Sequence, residues 1–331
     1  GELAQRIVTS IVEPFVFEDG LIGEIGTSIG IALAPDHATD RNTLLQRADI
    51  AMYAAKRGST SIAHYDARLD PNSVRQLTLG GAVRQAVEDQ ELSLELQPQL
   101  QLQNGRIDRV EALLRWHHPT RGLILPAHFV PQSEHSGRIH EITEWSIEEA
   151  VRLLQLWHER PLELTLALNI SARSFEKREL APNLLATLEA QRVDPKKLIL
   201  EITESALLET AGDAGRDLEM LHQAGIRLAI DDFGTGYSSL SLLRNLPIDE
   251  LKIDQSFVGG LMGPGKDQAI VRSTIDLAHS LGLVVVAEGV EHQEQLDTLR
   301  QLSCDYGQGF LIAPAMDMQT FEARYLAQES A

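Results

Sequence analysis

Polar and apolar residues follow different periods along this chain, and the change of period marks its parts. From Leu92 to Leu102 they alternate; the alternation stops at Asn104-Gly105 and resumes from Ile107 to Trp116. Two alternating runs around Asn-Gly predict an antiparallel hairpin. Downstream, short apolar runs predict strands at Leu164–Asn169, Leu198–Thr203, Arg227–Asp231, Glu250–Ile253, Val284–Glu288 and Tyr306–Leu311. Segments of helical period fit between them at Ile139–Leu156, Ala181–Ala190, Ala211–Gln223, Ser238–Leu246, Lys266–Leu281 and Glu291–Leu302. Such alternation predicts parallel strands joined by crossover helices. Eight strands over about 240 residues is the size of a closed (β/α)8, TIM-like barrel, with the hairpin making its first strand pair antiparallel.

Residues 1–68 carry a sparser α/β pattern. Helices are predicted at Glu2–Val12 and Arg41–Lys56, and strands within Ile25–Leu33 and Ser61–Tyr65. Asp40 is the expected N-cap of the second helix, whose apolar face would be Leu44, Leu45, Ala48, Ile50, Ala51 and Ala54. So few elements cannot close a sheet-based core, so the segment reads as part of a domain. Residues 69–90 are expected to form a linker and a first helix (Val74–Glu88), and residues 91–331 the barrel.

Composition narrows the function. A chain of 331 residues with net charge −19 argues against a nucleic-acid backbone as partner, which wants a basic face. The single cysteine, Cys304, cannot close an intramolecular disulfide, so a reducing compartment is expected, with the cysteine a buried structural thiol. No apolar run is long enough to span a membrane, and no signal-peptide pattern opens the chain. A cytoplasmic location is therefore expected, including as the cytoplasmic portion of a larger membrane-attached protein.

The chemistry emerges when polar residues are placed on the predicted strands. Glu111, Asn169, Glu201, Asp231, Asp232 and Glu288 fall on five of them, at or near the ends that form the active face of such a barrel. Five carboxylates cannot share a confined site in ionised form without strong repulsion. Divalent cations resolve it, and an all-oxygen set with one amide suits Mg²⁺ or Mn²⁺ rather than zinc. So many ligands exceed a single Mg²⁺ site and suit a metal pair of the kind used in phosphoryl hydrolysis. Lys252 inside Leu251-Lys252-Ile253 needs a partner in a buried strand.

These residues sit in runs that resemble the EAL family of cyclic-di-GMP phosphodiesterases. The runs are Gln97-Pro98, Glu111-Ala112-Leu113-Leu114-Arg115-Trp116, Asn169-Ile170-Ser171, Leu200-Glu201-Ile202-Thr203-Glu204, Asp231-Asp232-Phe233-Gly234-Thr235-Gly236-Tyr237, Leu251-Lys252-Ile253-Asp254 and Ala287-Glu288-Gly289-Val290-Glu291. Residues 1–68 resemble the C-terminal half of a GGDEF diguanylate cyclase domain through Thr27–Ala32 and Ala48–Lys56, although Gly-Gly-Asp-Glu-Phe occurs nowhere in the chain. The resemblance implies metal-dependent hydrolysis of cyclic di-GMP to linear pGpG, with a non-catalytic cyclic-di-GMP receptor as the alternative. It implies one metal held by Glu111, Asn169, Glu201 and Asp231, and a second by Asp231, Asp232 and Glu288, with Ca²⁺ inhibitory. Lys252 would orient the attacking water and stabilise phosphate charge, Gln97, Arg115, Glu291 and Gln308 would support the substrate, and Glu204 would tether the loop Phe233–Ser239. A homodimer through the barrel is implied as well. Two stretches depart from the family pattern, Gln132-Ser133 and Ala313-Pro314-Ala315.

Other signals carry less. His117 and His118 are adjacent on a strand and point to opposite faces, so they cannot chelate together. Gly234-Thr235-Gly236 lacks the third glycine of a dinucleotide fingerprint, Ser239 standing there. Trp116 follows Arg115 near the mouth and is a candidate to stack on a guanine.

Overall fold

The computed structural model describes residues 2–12, 15–16, 22–23, 27–39, 41–57, 61–66, 82–158, 164–177, 179–234, 243–244, 246–263 and 265–326. They divide into two units, Gly1–Gly81 and Ala82–Ala331, a division that falls within the stretch 69–90.

In the first unit a helix, Arg41–Arg57, connects the parallel strands Ile29–Ile31 and Ile62–His64. It is seated close against the first of them because position 30 has no side chain. A Cβ on Gly30 would lie 1.9 Å from the carbonyl oxygen of Ala48 and 2.1 Å from the amide nitrogen of Met52. Ala51 and Ala55 are buried, whereas Leu45 is 57% exposed, so the helix buries a narrower face than its apolar pattern predicts. Asp40, the expected cap, lies outside the described residues. So do residues 74–81 of the predicted linking helix, of which 82–88 are helical.

The second unit is a closed barrel of eight strands. These are β1 (Leu92–Gln101), β2 (Ile107–His118), β3 (Thr165–Asn169), β4 (Leu198–Thr203), β5 (Arg227–Phe233), β6 (Glu250–Ile253), β7 (Val284–Ala287) and β8 (Tyr306–Gly307). The strands from β2 to β8 pair in parallel in chain order. The β1 strand closes the ring antiparallel to both neighbours: Leu92 faces Trp116 at one end, and Gln101 faces Tyr306 at the other. A short strand, Gly122–Ile124, adds to the far end of β2.

Alternation along each strand sorts its residues. On β1, Leu94 and Leu96 join the main core beneath the surrounding helices, as Val110 and Ala112 do on β2. The opposite phase points inside the ring: Gln97 and Gln99 on β1, Arg109 and Glu111 on β2. Inside the barrel Ala167, Ile199 and Ala229 form a small apolar cluster of their own. Each stands two residues before a polar residue of the mouth: Asn169, Glu201 and Asp231.

Two predicted elements differ. The helix after β4 spans Glu204–Gln223 instead of starting at residue 211. Gly212 and Gly215 obscured its period, yet Leu207, Ala214, Leu218 and Leu221 form one fully buried stripe on it. The last strand ends at Gly307 instead of Leu311. Beyond it the chain packs onto the backbone of Val290, whose carbonyl oxygen would lie 2.2 Å from a Cβ on Gly309, and the Leu311 N–H donates to that carbonyl. Most of the predicted helix Ser238–Leu246 lies outside the described residues. No helix among the described residues is long and apolar enough to cross a membrane.

Candidate active site

Parallel strands deliver their C-terminal ends to one mouth, and the acidic residues meet there around a single ammonium. Lys252 is fully buried. Its Nζ lies 2.6 Å from Glu201 Oε2, 2.7 Å from Glu288 Oε1, 3.3 Å from Asp231 Oδ1 and 3.5 Å from Glu111 Oε2. Asn169 bridges two of these carboxylates, its Nδ2 donating to Glu111 Oε1 (2.6 Å) and Glu201 Oε2 (3.3 Å). Carboxylate oxygens of Asp231, Asp232 and Glu288 come within 4.8 Å of one another. The Asp232 backbone has φ +55°, and its N–H donates to Asp231 Oδ1 (2.9 Å), which turns the two adjacent side chains toward the same space.

Charge balance shows in the proton affinities. Burial alone would lower the Lys252 ammonium, but Asp231, Glu111, Glu201 and Glu288 overcome it and hold it well above the usual lysine range. Burial, then the Glu111 charge, pushes Glu201 well above the carboxylate range. For Glu111 burial acts upward too, but Lys252 and hydrogen bonds, including those from Gln308 and Asn169, outweigh it and hold the carboxyl low. Glu288 is pushed up to about 8, chiefly by burial, and Asp232 to about 6, by burial and then by Asp231. One ammonium does not neutralise this many carboxylates. Glu201 Oε1 is buried with no hydrogen-bond partner among the described residues. Crowded oxygen donors with an unspent buried lone pair fit a hard divalent cation.

Amides complete the wall. Gln308 Nε2 donates to Glu111 Oε2 (2.6 Å) and to Gln97 Oε1 (2.9 Å), and Gln97 Nε2 donates to the Ala313 carbonyl (3.0 Å). Gln308 stands one residue past β8, and Glu288 one past β7. Gln97, Glu288, Glu291 and Gln308 line one cavity of about 340 Å³, with Phe310 at its rim. A second, of about 510 Å³, adjoins Asn169, Glu201, Asp231 and Asp232 and is otherwise largely apolar, with Leu114, Pro126, Val130 and Ile142 in its wall. Arg115 is occupied by Glu95 (Nε to Oε2, 2.7 Å). Glu204 Oε2 accepts from the Gly234 N–H (3.1 Å), and residues 235–239 of that loop lie outside the described residues.

The candidate stacking role of Trp116 is overturned. Its ring is fully buried, edge-on to Phe129, and its indole N–H donates to Glu91 (2.7 Å). It occupies the outward phase of β2, opposite to Glu111 and Arg115. His117 and His118 part as expected, the first to Ser93 Oγ and the second onto the Trp116 ring. Cys304 is buried, and burial pushes its thiol up to about 12. Sequence reasoning passed over Glu134, which takes a hydrogen bond from Ser171 (2.7 Å) on the apolar cavity wall, and Gln99. A polar residue in the inward phase of a barrel strand was the available signal for Gln99.

A (β/α)8 barrel with one antiparallel strand and an acidic mouth centred on a lysine defines a class, and comparison places the chain within it. Residues 81–315 match the EAL domain, and residues 1–61 match part of the diguanylate cyclase GGDEF domain. The chain belongs to the EAL family. It is 40% identical over 316 residues to the bifunctional diguanylate cyclase/cyclic di-GMP phosphodiesterase MucR of Pseudomonas aeruginosa, covering 95% of this chain and 46% of that protein. It is 36% identical over 326 residues to the cyclic di-GMP phosphodiesterase PdeR of Escherichia coli, covering 98% and 49%. The chain thus spans about half the length of these relatives. The solved MucR phosphodiesterase in complex with c-di-GMP superposes with a TM-score of 0.70 at 41% identity, over 74% of this chain and 99% of that one.

Proposed function

We propose that this chain hydrolyses cyclic di-GMP to linear 5′-pGpG with two divalent cations, Mg²⁺ or Mn²⁺. The observation that carries the reading is the convergence of Glu111, Asn169, Glu201, Asp231, Asp232 and Glu288 on one mouth, in a family whose named members here include cyclic di-GMP phosphodiesterases. Glu111, Asn169, Glu201 and Asp231 would hold one cation, and Asp231, Asp232 and Glu288 the other. Bound there, the cations supply an activated water and neutralise phosphate charge.

The residues divide the remaining work. Lys252, fixed by its carboxylate partners, donates N–H groups toward the reacting phosphoryl group and stabilises charge that grows there in the transition state. Asn169 and Gln308 hold Glu111 from both sides as an acceptor. Gln97, Arg115, Glu291 and Gln308 would support the substrate, with Arg115 leaving Glu95 for a phosphate group, whose two oxygens suit a guanidinium. Glu204 holds Gly234, and through it the start of the loop that follows Asp231 and Asp232. A homodimer through the barrel belongs to the same reading and is checked by light scattering.

Chromatography of cyclic di-GMP incubated with the protein and Mg²⁺, beside an EDTA control, tests the function. The expected result is pGpG with Mg²⁺ and none with EDTA. Binding of cyclic di-GMP with no turnover in Mg²⁺ or Mn²⁺ would establish a receptor instead.

A further inference from the structure

On β3, β4, β5 and β7 the inward position one step below the mouth is apolar: Ala167, Ile199, Ala229 and Val286. On β2, β6 and β8 it is Arg109, Glu250 and Tyr306: Arg109 pairs with Glu250 Oε2 and lies 3.9 Å from the centre of the Tyr306 ring, while Glu250 Oε1 has no hydrogen-bond partner among the described residues. On β1 it is Gln99, and Gln99 turns upward. It is fully buried, its Nε2 donates to Gln308 Oε1 (2.9 Å), and its own Oε1 has no hydrogen-bond partner among the described residues.

An orphaned buried carbonyl is a cost that methionine or leucine would remove. What Gln99 contributes in return is its N–H. The Gln308 amide can face either way, and only one way serves the mouth. With Nε2 upward it donates to Glu111 and Gln97; turned over, it would set its oxygen against two acceptors. The Gln99 donor beneath engages the Gln308 oxygen only in the first arrangement.

We propose that Gln99 is a positioning residue that acts through Gln308 on Glu111 and so on the cation that Glu111 would hold. The relay runs from Gln99 Nε2 to Gln308 Oε1, and from Gln308 Nε2 to Glu111 Oε2. It leaves Glu111 Oε1 to Asn169, so the carboxylate is gripped at both oxygens before any ligand arrives. The inference rests on the proposed metal-dependent function.

The test compares Gln99→Met, Gln308→Met and the double variant in the full chain. Mn²⁺ affinity is read by calorimetry, and melting is followed in EDTA. Groups that orient a metal ligand typically change affinity about 10–100-fold when removed. Gln99→Met is expected to weaken the Glu111 site about 10-fold, the low end, because it acts one contact further out. Its melting point should change little, since the orphaned Gln99 oxygen leaves with the amide while the buried Gln308 oxygen loses its donor. The double variant should bind Mn²⁺ no more weakly than Gln308→Met alone. Wild-type affinity in Gln99→Met, or losses that add in the double variant, would overturn the proposal. If Gln99→Met does not fold, Gln99→Leu replaces it; failure of both makes Gln99 a packing residue and overturns the proposal too. A wild-type chain that binds no Mn²⁺ overturns the proposed function itself, and the relay's purpose with it.

Discussion

Replacing Lys252 by methionine separates two things this side chain does. Within the barrel its ammonium has four carboxylates within 3.5 Å and no access to solvent. Removing one partner of a buried ion pair typically costs about 3–5 kcal/mol, because the opposite charge is left uncompensated. For a domain of this size each kcal/mol moves the melting point by about 2–4 °C, so metal-free Lys252→Met should melt roughly 6–20 °C below wild type. Saturating Mn²⁺ restores positive charge to the same carboxylates. A cation at 100 times its dissociation constant adds about 2.7 kcal/mol, so most of the deficit should be recovered. Catalysis should not recover. A preorganised donor lost from a transition state costs about 10²–10³ in rate, roughly 3–4 kcal/mol. The assays are melting in EDTA and in Mn²⁺, and single-turnover hydrolysis of cyclic di-GMP at saturating Mn²⁺. An unchanged metal-free melting point would refute the buried-charge reasoning. A near-normal single-turnover rate in the metallated variant would refute the catalytic role.

Asp231→Ala should abolish turnover and lower Mn²⁺ stoichiometry at both sites, whereas Glu111→Ala should abolish turnover and weaken one; calorimetry showing equal stoichiometry in wild type and Asp231→Ala would exclude a bridging aspartate. The chain should form no cyclic di-GMP from GTP and Mg²⁺, because no Gly-Gly-Asp-Glu-Phe is present; nucleotide chromatography checks it. Cys304 should resist an aromatic disulfide reagent at pH 8 until the barrel unfolds. Its thiol is raised by burial to about 12 in the folded state, against about 8.5 for a free cysteine, so the folded protein keeps a proton that the unfolded chain loses. That contribution to stability is intact below about pH 8.5 and declines as pH rises toward 12, visible as a falling denaturant midpoint.

Strand positions were legible because apolar runs and the Asn-Gly turn report local physics. The acidic cluster at the mouth was legible too, since Asn169, Glu201 and Asp231 fall at or near the C-terminal ends of parallel strands. Where the reading slipped, a neighbour's chemistry was set above the strand's own alternation, or the deciding contact was remote in sequence. Trp116 looked like part of the mouth by its neighbour Arg115, but the strand's alternation sends it outward beneath Phe129. The end of β8 is decided by Val290 against Gly309, a packing between two loops. Gln99 carries no signature in its own segment; its purpose appears only once Gln308, more than two hundred positions later, closes the ring.

The antiparallel β1 also decides where the chain enters. In an all-parallel barrel the first strand begins at the floor, behind the chemistry. Here Leu92 begins beside Trp116, and the Glu91 carbonyl accepts the His117 N–H, so entry is at the rim. From that rim β1 runs inward past Gln97 to Gln99. A tug or twist applied to the chain ahead of Leu92 would therefore travel down a hydrogen-bonded lever whose interior handholds are Glu95 on Arg115 and then the two glutamines that grip Gln308.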